Sequence, residues 1–362
     1  MNICLIGNGL TNLVLAKVLI SKNIRVTILF ESKKTNKFNS RSIAISKENY
    51  DYLNSEIISI KKICWPINSI EIFKENSLNE KIFNFKNRQN DLLFIVKYKN
   101  FFKLINKQLK KSKKVKFLKK RKISYKKIIP NNFDLVINSE SNNIFYRDIF
   151  YKKIIKDYES IAFTTIIKHQ RLKNNIAAQI FTNNGPLAFL PISENETSIV
   201  FSILNNEFKL TEKEIKKLIL KYNRKLKVKS FINFEKFNLK YSLLRKYFYK
   251  NILSFGDSIH KIHPLAGQGF NMTLRDIKVL SNLIQERLNL GLTLDSFILK
   301  KFQSETKSKN YLFSSGVDFI HEFFKLENKY GNKYFNKILR MVGQNNIFNK
   351  YVTKIADKGL HL

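Results

Sequence analysis

Residues 2–31 read NICLIGNGLTNLVLAKVLISKNIRVTILFE. A short apolar run, residues 2–6, ends at Gly7, and the apolar residues from Leu10 to Leu19 then recur with helical spacing. A second apolar run, Ile24 to Phe30, is rich in the β-branched residues that favour strands. The order strand, glycine turn, helix and strand predicts a βαβ unit, and therefore an α/β fold built on a parallel sheet.

The turn after the first strand carries Gly7 and Gly9, which allow a tight bend and a close approach of a pyrophosphate to amides at the helix N-terminus. Asn12 stands where the G-x-G-x-x-G pattern has its third glycine. Glu31 ends the second strand, where a carboxylate would accept hydrogen bonds from a ribose. The unit predicts dinucleotide binding, and a strand-to-helix turn without a ligand is the alternative.

The chain has 362 residues and a formal net charge of +38. This charge would suit a nucleic-acid partner, but only 11 of the 66 basic residues are Arg, the side chain best suited to bidentate contacts with phosphates and bases. The many Lys accompany abundant Asn, Ile, Phe and Tyr, a bias that A/T-rich coding explains. We therefore expect no nucleic-acid partner, although so basic a surface should be attracted to anionic lipid headgroups.

Several features predict a cytoplasmic location. No apolar run approaches the roughly 18 residues of a spanning helix, and residues 1–6 lack the basic and apolar regions of a signal peptide. The two cysteines, Cys4 and Cys64, are not expected to form a disulfide, which fits a reducing compartment.

The rest of the chain alternates strand-like and helical patterns. Runs at 161–167, 176–182, 187–192 and 198–204, separated by Asn, Gly and Pro turns, predict an antiparallel sheet. Thr211 to Glu214 form a capping box that should open a helix. Apolar spacing predicts several helices over 295–358, with the aromatic residues of 311–335 in the helix core or, alternatively, on a membrane- or partner-facing patch.

A second decisive stretch, residues 253–276, reads LSFGDSIHKIHPLAGQGFNMTLRD. A predicted strand ends at Gly256 and Asp257, a loop follows, and a helix is expected to begin near Phe270. This stretch resembles the second flavin-binding segment of class A FAD-dependent aromatic monooxygenases. It most closely resembles that of the ubiquinone-biosynthesis hydroxylases, which are relatives of p-hydroxybenzoate hydroxylase.

The resemblance implies that the Asp257 carboxylate accepts a hydrogen bond from a ribityl hydroxyl. It also implies that amides at the helix N-terminus face the flavin pyrimidine edge, where the positive helix end would stabilise an anionic reduced flavin. The cofactor-binding residues implied in this segment are Gly256, Asp257, Pro264, Gly267, Gln268, Gly269, Phe270 and Asn271.

Three smaller matches follow in the expected order. Residues 41–46, RSIAIS, are similar to the family's R-x-x-A-L-S segment, which would place Arg41 near the flavin; a surface Arg is the alternative. Residues 185–191, GPLAFLP, resemble a strand that borders the flavin and substrate cavity. Asn100 is expected to open a helix whose family counterpart reaches the cofactor, and a solvent-exposed cap is the alternative.

The resemblance implies a Rossmann-like FAD-binding domain with a parallel sheet, an inserted antiparallel substrate domain and a helical C-terminal region. The FAD-binding domain would comprise 1–65, 96–155 and 245–295, the substrate domain 66–95 and 156–244, and the C-terminal helices 296–362.

The implied function is hydroxylation of the aromatic ring of a polyprenylated phenol in ubiquinone biosynthesis, with FAD as cofactor, NAD(P)H as reductant and O₂ as co-substrate. No side chain need act as a nucleophile, so no catalytic base is predicted. No metal site is predicted either, because His260 and His263 have no acidic or cysteine partners nearby in the sequence. The implied partners are a quinone-synthesis protein complex and the inner membrane, through peripheral contact.

Two positions depart from the family pattern. Asn12 replaces a glycine, and Ser139-Glu140 stand where an Asp-Gly motif is expected to serve flavin and nicotinamide binding. These departures predict slow reduction by NAD(P)H. Three alternatives remain: a non-catalytic scaffold in a quinone-synthesis complex, a flavin hydroxylase with another aromatic substrate, and a lipid- or nucleic-acid-binding protein without flavin, which the charge of +38 would favour.

Overall fold

The computed structural model describes residues 1–31, 39–75, 78, 80–86, 91–120, 133–141, 144–204 and 210–330. Within these ranges the strands are β1 (Asn2–Ile6), β2 (Arg25–Glu31), β3 (Ser42–Ser46), β4 (Cys64–Ile67), β5 (Ser69–Lys74), β6 (Phe83–Lys86), β7 (Leu93–Lys97), β8 (Val115–Lys120), β9 (Leu135–Asn138), β10 (Lys153–His169), β11 (Ile176–Thr182), β12 (Gly185–Pro191), β13 (Glu196–Leu204), β14 (Val228–Leu244), β15 (Phe248–Tyr249), β16 (Ile252–Ser254) and β17 (His260–Lys261). The α-helices are α1 (Leu10–Ser21), α2 (Lys47–Tyr52), α3 (Tyr98–Lys110), α4 (Ile144–Ile149), α5 (Glu212–Tyr222), α6 (Gln268–Asn289) and α7 (Ser296–Tyr330).

The predicted parallel sheet is present, with described strands in the order β15-β16-β9-β1-β2-β8. β1 pairs in parallel with β2 and β9, and β16 continues the sheet in parallel beside β9. Residues Ile3 to Ile6 of β1 are wholly buried, as expected for a parallel strand covered by helices on both faces. The carboxyl ends of β1, β9 and β16 therefore lie at one edge, which is where ligands bind in sheets of this kind.

A second sheet has the order β17-β14-β10-β13-β12-β11-β5-β6. It contains the predicted antiparallel strands, but β11 and β5 pair in parallel, so the sheet is mixed. β10 and β14 are each 17 residues long. Gly185 opens β12 with φ +130°, and a Cβ there would lie 2.2 Å from the Ser202 carbonyl oxygen, so this position requires glycine.

A third, small sheet has the order β3-β7-β4. The predicted boundaries after residues 65 and 95 fall inside β4 and β7, and the boundary after 155 falls inside β10. β7 pairs with both β3 and β4, so the segments around 64–67 and 93–97 are held together with β3. Periodicity along the chain does not reveal such a pairing, because its strands are distant in sequence.

The last two described helices refine the prediction. α6 begins at Gln268, two residues before Phe270, because Gly267 takes the left-handed conformation (φ +65°) at its N-cap. The described residues after 295 form one 35-residue helix, α7, in place of several; residues 331–362 lie outside the described part.

The aromatic residues of α7 are not uniformly buried. Phe313 and Phe324 pack in the interior, whereas Tyr311 and Phe319 are exposed. The prediction that this stretch is helix core therefore holds for one face of α7 only. Among the described residues, no helix combines the length and the apolar character needed to cross a membrane.

Candidate flavin and substrate site

A cavity of about 1800 Å³ lies where the three sheets meet. Its walls come from the α1 N-terminus, the segment from Arg41 to Lys47, the loop before α6, strands β11 and β12, and α7. Ligand sites usually span about 300–1,000 Å³. The cavity therefore has room for a large cofactor and a second ligand beside it.

The glycine turn opens this cavity at the carboxyl end of β1. Gly7 has φ +110°, and its amide donates to the Leu29 carbonyl at 2.8 Å, which binds the turn to β2. Gly9 is the N-cap of α1; among the described residues no side chain caps the helix there, and beyond the chain neighbours of Gly9 no atom lies within 4 Å of a Cβ built on it. Gly9, Leu10 and Thr11 line the cavity, where the Leu10 amide donates to the Tyr98 hydroxyl, so the positive end of α1 faces the cavity.

Asn12 holds the turn instead of lining the cavity. Its side chain is fully buried, and its Nδ2 donates to the carbonyls of Ile6 and Gly7, both at 2.8 Å. A glycine at this position could make neither bond. The asparagine that departs from the G-x-G-x-x-G pattern therefore stabilises the turn by two side-chain hydrogen bonds.

Gly256 and Asp257 follow β16 beside the α1 N-terminus. Gly256 has φ +61°, and a Cβ there would lie 2.8 Å from Thr11 Cγ2, so glycine allows the close approach. Asp257 is exposed and lines the cavity.

Arg41 and Tyr98 complete the polar wall near Asp257. The Arg41 guanidinium lies 5.4 Å from the centre of the Tyr98 ring. Burial raises the pKa of Tyr98, Arg41 opposes that rise, and Asp257 adds to it. These three side chains therefore interact electrostatically at one side of the cavity.

The loop before α6 and the first turn of that helix also line the cavity. All the predicted cofactor-binding residues from this loop and turn line the cavity: Pro264, Gly267, Gln268, Gly269, Phe270 and Asn271. A Cβ on Gly267 would lie 2.7 Å from Ala44 Cβ, so the loop packs directly on β3.

Asn271 is a connector between α6 and β3. Its side chain is buried; Nδ2 donates to the Ala44 carbonyl at 3.0 Å, and Oδ1 accepts from the Ser46 amide at 2.9 Å and from Asn49 Nδ2 at 3.0 Å. These bonds fix the α6 N-terminus against the strand that follows Arg41.

The segment that carries Arg41 is fixed on its other side too. Ser40 Oγ donates to Glu235 Oε2 at 2.6 Å, and Ser42 Oγ donates to Ser198 Oγ at 2.9 Å. Arg41 is exposed and lines the cavity between these two anchored residues.

Five predicted residues do not line the cavity; two of them, Asn12 and Gly256, are described above. Asn100 is exposed and is the third residue of α3, whereas Tyr98, the first residue of α3, lines the wall. Glu31 ends β2 as predicted, immediately before residues 32–38, which lie outside the described part. Gly7 allows the turn through its positive φ and does not line the cavity.

Glu140 lies directly against the glycine turn. A Cβ on Gly7 would be 2.7 Å from Glu140 Cγ and 3.2 Å from Glu140 Oε1. The neighbouring Ser139 lines the cavity. A carboxylate is therefore placed beside the turn at which a pyrophosphate is predicted, where like charges repel.

A histidine cluster beside the cavity, whose wall includes His263, was not predicted from the sequence. The rings of His263 and His321 lie 4.3 Å apart between centres, and both meet the Tyr158 ring edge-on, at 5.2 and 4.8 Å. Neither His263 ring nitrogen has a hydrogen-bond partner among the described residues. His321 lies on α7, 58 positions beyond His263, so no local sequence pattern indicates that the two residues pair.

His260 has a different role. Its Nε2 lies 2.7 Å from Asp276 Oδ2, and Asn310 Nδ2 donates to Asp276 Oδ1 at 3.2 Å, which joins β17, α6 and α7 in the interior. Across the described ranges, no group of three or more His, Cys, Asp or Glu side chains is placed to hold a metal ion.

The histidine cluster predicts a pH-dependent stability. Burial, with His321 beside it, lowers the pKa of His263 well below its usual value. As the pH falls through about 6.5, the unfolded chain takes up a proton at His263 and the folded chain does not, so stability is lost with acidification. Urea unfolding between about pH 7.5 and 5 should show this loss, to which His263 contributes a limiting slope of about 1.4 kcal/mol per pH unit. His263→Phe should have a shallower dependence, and equal slopes would contradict the assignment.

The fold and the cavity together define a class: an α/β protein with a glycine turn of the dinucleotide-binding type, whose cavity continues along a mixed sheet. Residues 158–293 match the family model of the FAD binding domain, a range that includes the segment 253–276. The chain is 29% identical over 155 residues to 3-demethoxyubiquinol 3-hydroxylase of Escherichia coli (strain K12), covering 40% of this chain and 39% of that protein. It is 26% identical over 170 residues to the ubiquinone biosynthesis monooxygenase COQ6 of Dictyostelium discoideum, covering 46% and 34%.

Solved structures share the fold over nearly the whole chain. The p-nitrophenol 4-monooxygenase PnpA of Pseudomonas putida DLL-E4 has a TM-score of 0.77 at 12% identity, covering 99% of this chain and 98% of that one. HpxO of Klebsiella pneumoniae, complexed with FAD and uric acid, has a TM-score of 0.75 at 12% identity, covering 99% and 97%. These comparisons confirm the predicted fold class and the resemblance to the ubiquinone-biosynthesis hydroxylases. The matched parts span only about two fifths of the first curated relatives, so activity, substrate and partners are matters of proposal.

Proposed function

We propose that this chain binds FAD and hydroxylates the aromatic ring of a polyprenylated phenol in ubiquinone biosynthesis, with NAD(P)H as reductant and O₂ as co-substrate. One observation carries the proposal: the N-termini of α1 and α6 and the Asp257 carboxylate line a single cavity that continues between apolar walls. An anionic dinucleotide is the ligand that suits two helix N-termini in one cavity.

The residues fit FAD. The α1 N-terminus, from Gly9 to Thr11, would hold the diphosphate, because no described atom beyond the chain neighbours of Gly9 fills the space at that residue. Asp257 would accept from a ribityl hydroxyl, the first amides of α6 would face the flavin, and Glu31 would bind the adenosine ribose. The bound cofactor would supply the redox and oxygen chemistry.

The chain itself would bind and orient the substrate and exclude water. Ala188 and Leu190 of the predicted GPLAFLP strand line the cavity, with Ile70 and Ile72 of β5 and Phe319 of α7. These side chains offer dispersion contacts and no hydrogen bonds, which suits a polyprenyl tail and keeps the reaction space dry.

An absorbance spectrum of the purified, desalted chain tests the proposal. We expect flavin bands after loading with FAD and none after loading with FMN, because the βαβ unit with Glu31 serves only an adenosine moiety. Equal retention of the two flavins would contradict the assignment. A colourless protein that rejects FAD would favour the scaffold alternative, for which the carboxylate of Glu140 at the glycine turn is the supporting observation.

In the parent chain, the Glu140 carboxylate should weaken FAD binding and slow reduction of the flavin by NAD(P)H. Glu140→Gln keeps the shape and removes the charge, so we expect the Kd for FAD to fall about tenfold, equivalent to about 1.4 kcal/mol. Replacing Ser139-Glu140 with Asp-Gly should also speed reduction by NAD(P)H in stopped-flow traces. Glu305→Gln, an exposed residue of α7, is the matched control and should change neither quantity. Fast reduction in the parent, with no gain in the variants, would refute the role of Glu140.

A peripheral membrane contact on the cytoplasmic side belongs to the same proposal. The net charge of +38 favours anionic headgroups, and the tail of a polyprenylated substrate stays in the bilayer. Membership of a quinone-synthesis complex remains a prediction from the resemblance.

A further inference from the structure

An apolar stripe runs along the exposed side of α7. Leu312, Phe319, Phe323 and Leu326 follow at spacings of seven, four and three, so they share one face of the helix. Phe319 is 69% exposed, Leu326 54% and Leu312 46%. Phe323 is partly buried against the interior. Exposed large apolar side chains grouped on one helix face indicate an interaction site.

The stripe borders the opening of the cavity. Leu312, Phe319 and Phe323 are at once part of the stripe and part of the cavity wall. Phe237 of β14 is exposed as well and lines the same cavity. The apolar surface therefore continues from the outside of the molecule into its interior.

Basic side chains accompany this opening. Lys236, Lys240 and Lys261 are exposed and line the cavity on the β14 and β17 side. Lys240 lies 3.3 Å from Asp157 in an exposed and therefore weak pair. Five basic side chains line the cavity against three carboxylates, those of Asp91, Glu235 and Asp257. Apolar side chains bordered by lysines complement an anionic bilayer, in which headgroups attract the lysines and the acyl region accepts the apolar groups.

We propose that the α7 stripe and the lysines of β14 and β17 form the face that docks on an anionic lipid bilayer, with the cavity opening turned toward the membrane. In this orientation an apolar tail would pass from the bilayer into the cavity without crossing water. That use of the face rests on the proposed function, whereas the docking itself requires no flavin.

The test places a tryptophan at each end of α7. Phe319→Trp reports on the stripe, and Phe297→Trp is the matched control, because Phe297 is 58% exposed but lies at the other end of the helix. Each full-length variant, with and without FAD, is mixed with vesicles of phosphatidylcholine alone or with about one third phosphatidylglycerol, some containing brominated acyl chains. We expect a blue shift and bromine quenching for Phe319→Trp only, and stronger binding to the anionic vesicles.

Two further variant sets separate the charged and apolar contributions. Lys236→Gln, Lys240→Gln and Lys261→Gln together should weaken sedimentation with anionic vesicles about tenfold or more at low salt. The same change at Lys107, Lys110 and Lys111, exposed on and just after α3, is the control of equal charge. Phe319→Ser should weaken the salt-resistant part of the binding about tenfold, since a buried Phe contributes that much.

Several outcomes would overturn the proposal. These are equal quenching of the two tryptophans, an equal effect of the two lysine sets, or no binding to any vesicle. A dimer in light scattering that Phe319→Ser dissociates would make a second copy of the chain the occupant. If acrylamide does not quench the tryptophan of Phe319→Trp in the absence of vesicles, another part of the chain covers the stripe. A protein that docks by this face yet stays colourless with FAD would refute the hydroxylase proposal and leave the docking face standing.

Discussion

Asp257→Ala should raise the Kd for FAD about ten- to hundredfold while the chain stays folded. Asp257 lines the cavity beside the α1 N-terminus, and its carboxylate makes no hydrogen bond to another described residue that would hold the fold. Losing a charged acceptor for a ribityl hydroxyl costs about 1.5–3 kcal/mol, which gives the expected range. Fluorescence titration with FAD measures the Kd, and circular dichroism checks the fold.

The control must be a carboxylate in the same cavity. Asp91 lies just before β7 and lines the cavity, so Asp91→Ala should keep its FAD affinity within a few fold. Asp276 cannot serve, because it is buried and bonded to His260 and Asn310, so its loss would destabilise the interior. Unchanged affinity in Asp257→Ala would show that the cofactor lies elsewhere.

The sequence predicts those features that local residues determine. The βαβ unit at 2–31, the capping box at Thr211 and the loop and helix at 264–271 are contiguous segments, and the structure contains each of them. The role of the glycines can be predicted from the sequence because a positive φ or a close approach excludes other side chains, as at Gly7, Gly256 and Gly267.

The features that the sequence could not predict depend on contacts between distant segments. Asn12 breaks the glycine pattern, and only the structure shows that its amide clamps the turn. The His263 and His321 pair, and the division of α7 into a buried and an exposed face, depend on how α7 lies across the loop before α6. Helical spacing predicts which residues form an apolar face but not which element packs against that face.

Asn271 should matter for both the fold and the cofactor. Asn271→Ala removes the bonds to Ala44, Ser46 and Asn49 and leaves the Ser46 amide and the Ala44 carbonyl without these partners in a buried place. Each such loss costs about 1–3 kcal/mol, so we expect the free energy of unfolding to fall by about 2–5 kcal/mol. FAD affinity should fall as well, because these bonds fix the strand that follows Arg41 against the α6 N-terminus.

Urea unfolding and FAD titration measure the two effects. Asn282→Ala is the matched control, since Asn282 is an exposed residue of the same helix. Alanine favours helix over asparagine by about half a kcal/mol, so this control should be slightly more stable than the parent. Asn271→Ala tests whether a residue that the resemblance assigns to the cofactor acts by joining two walls of the cavity. Loss of FAD affinity with no loss of stability would mean that Asn271 contacts the flavin itself, whereas loss of both fits the hydrogen bonds that the structure contains.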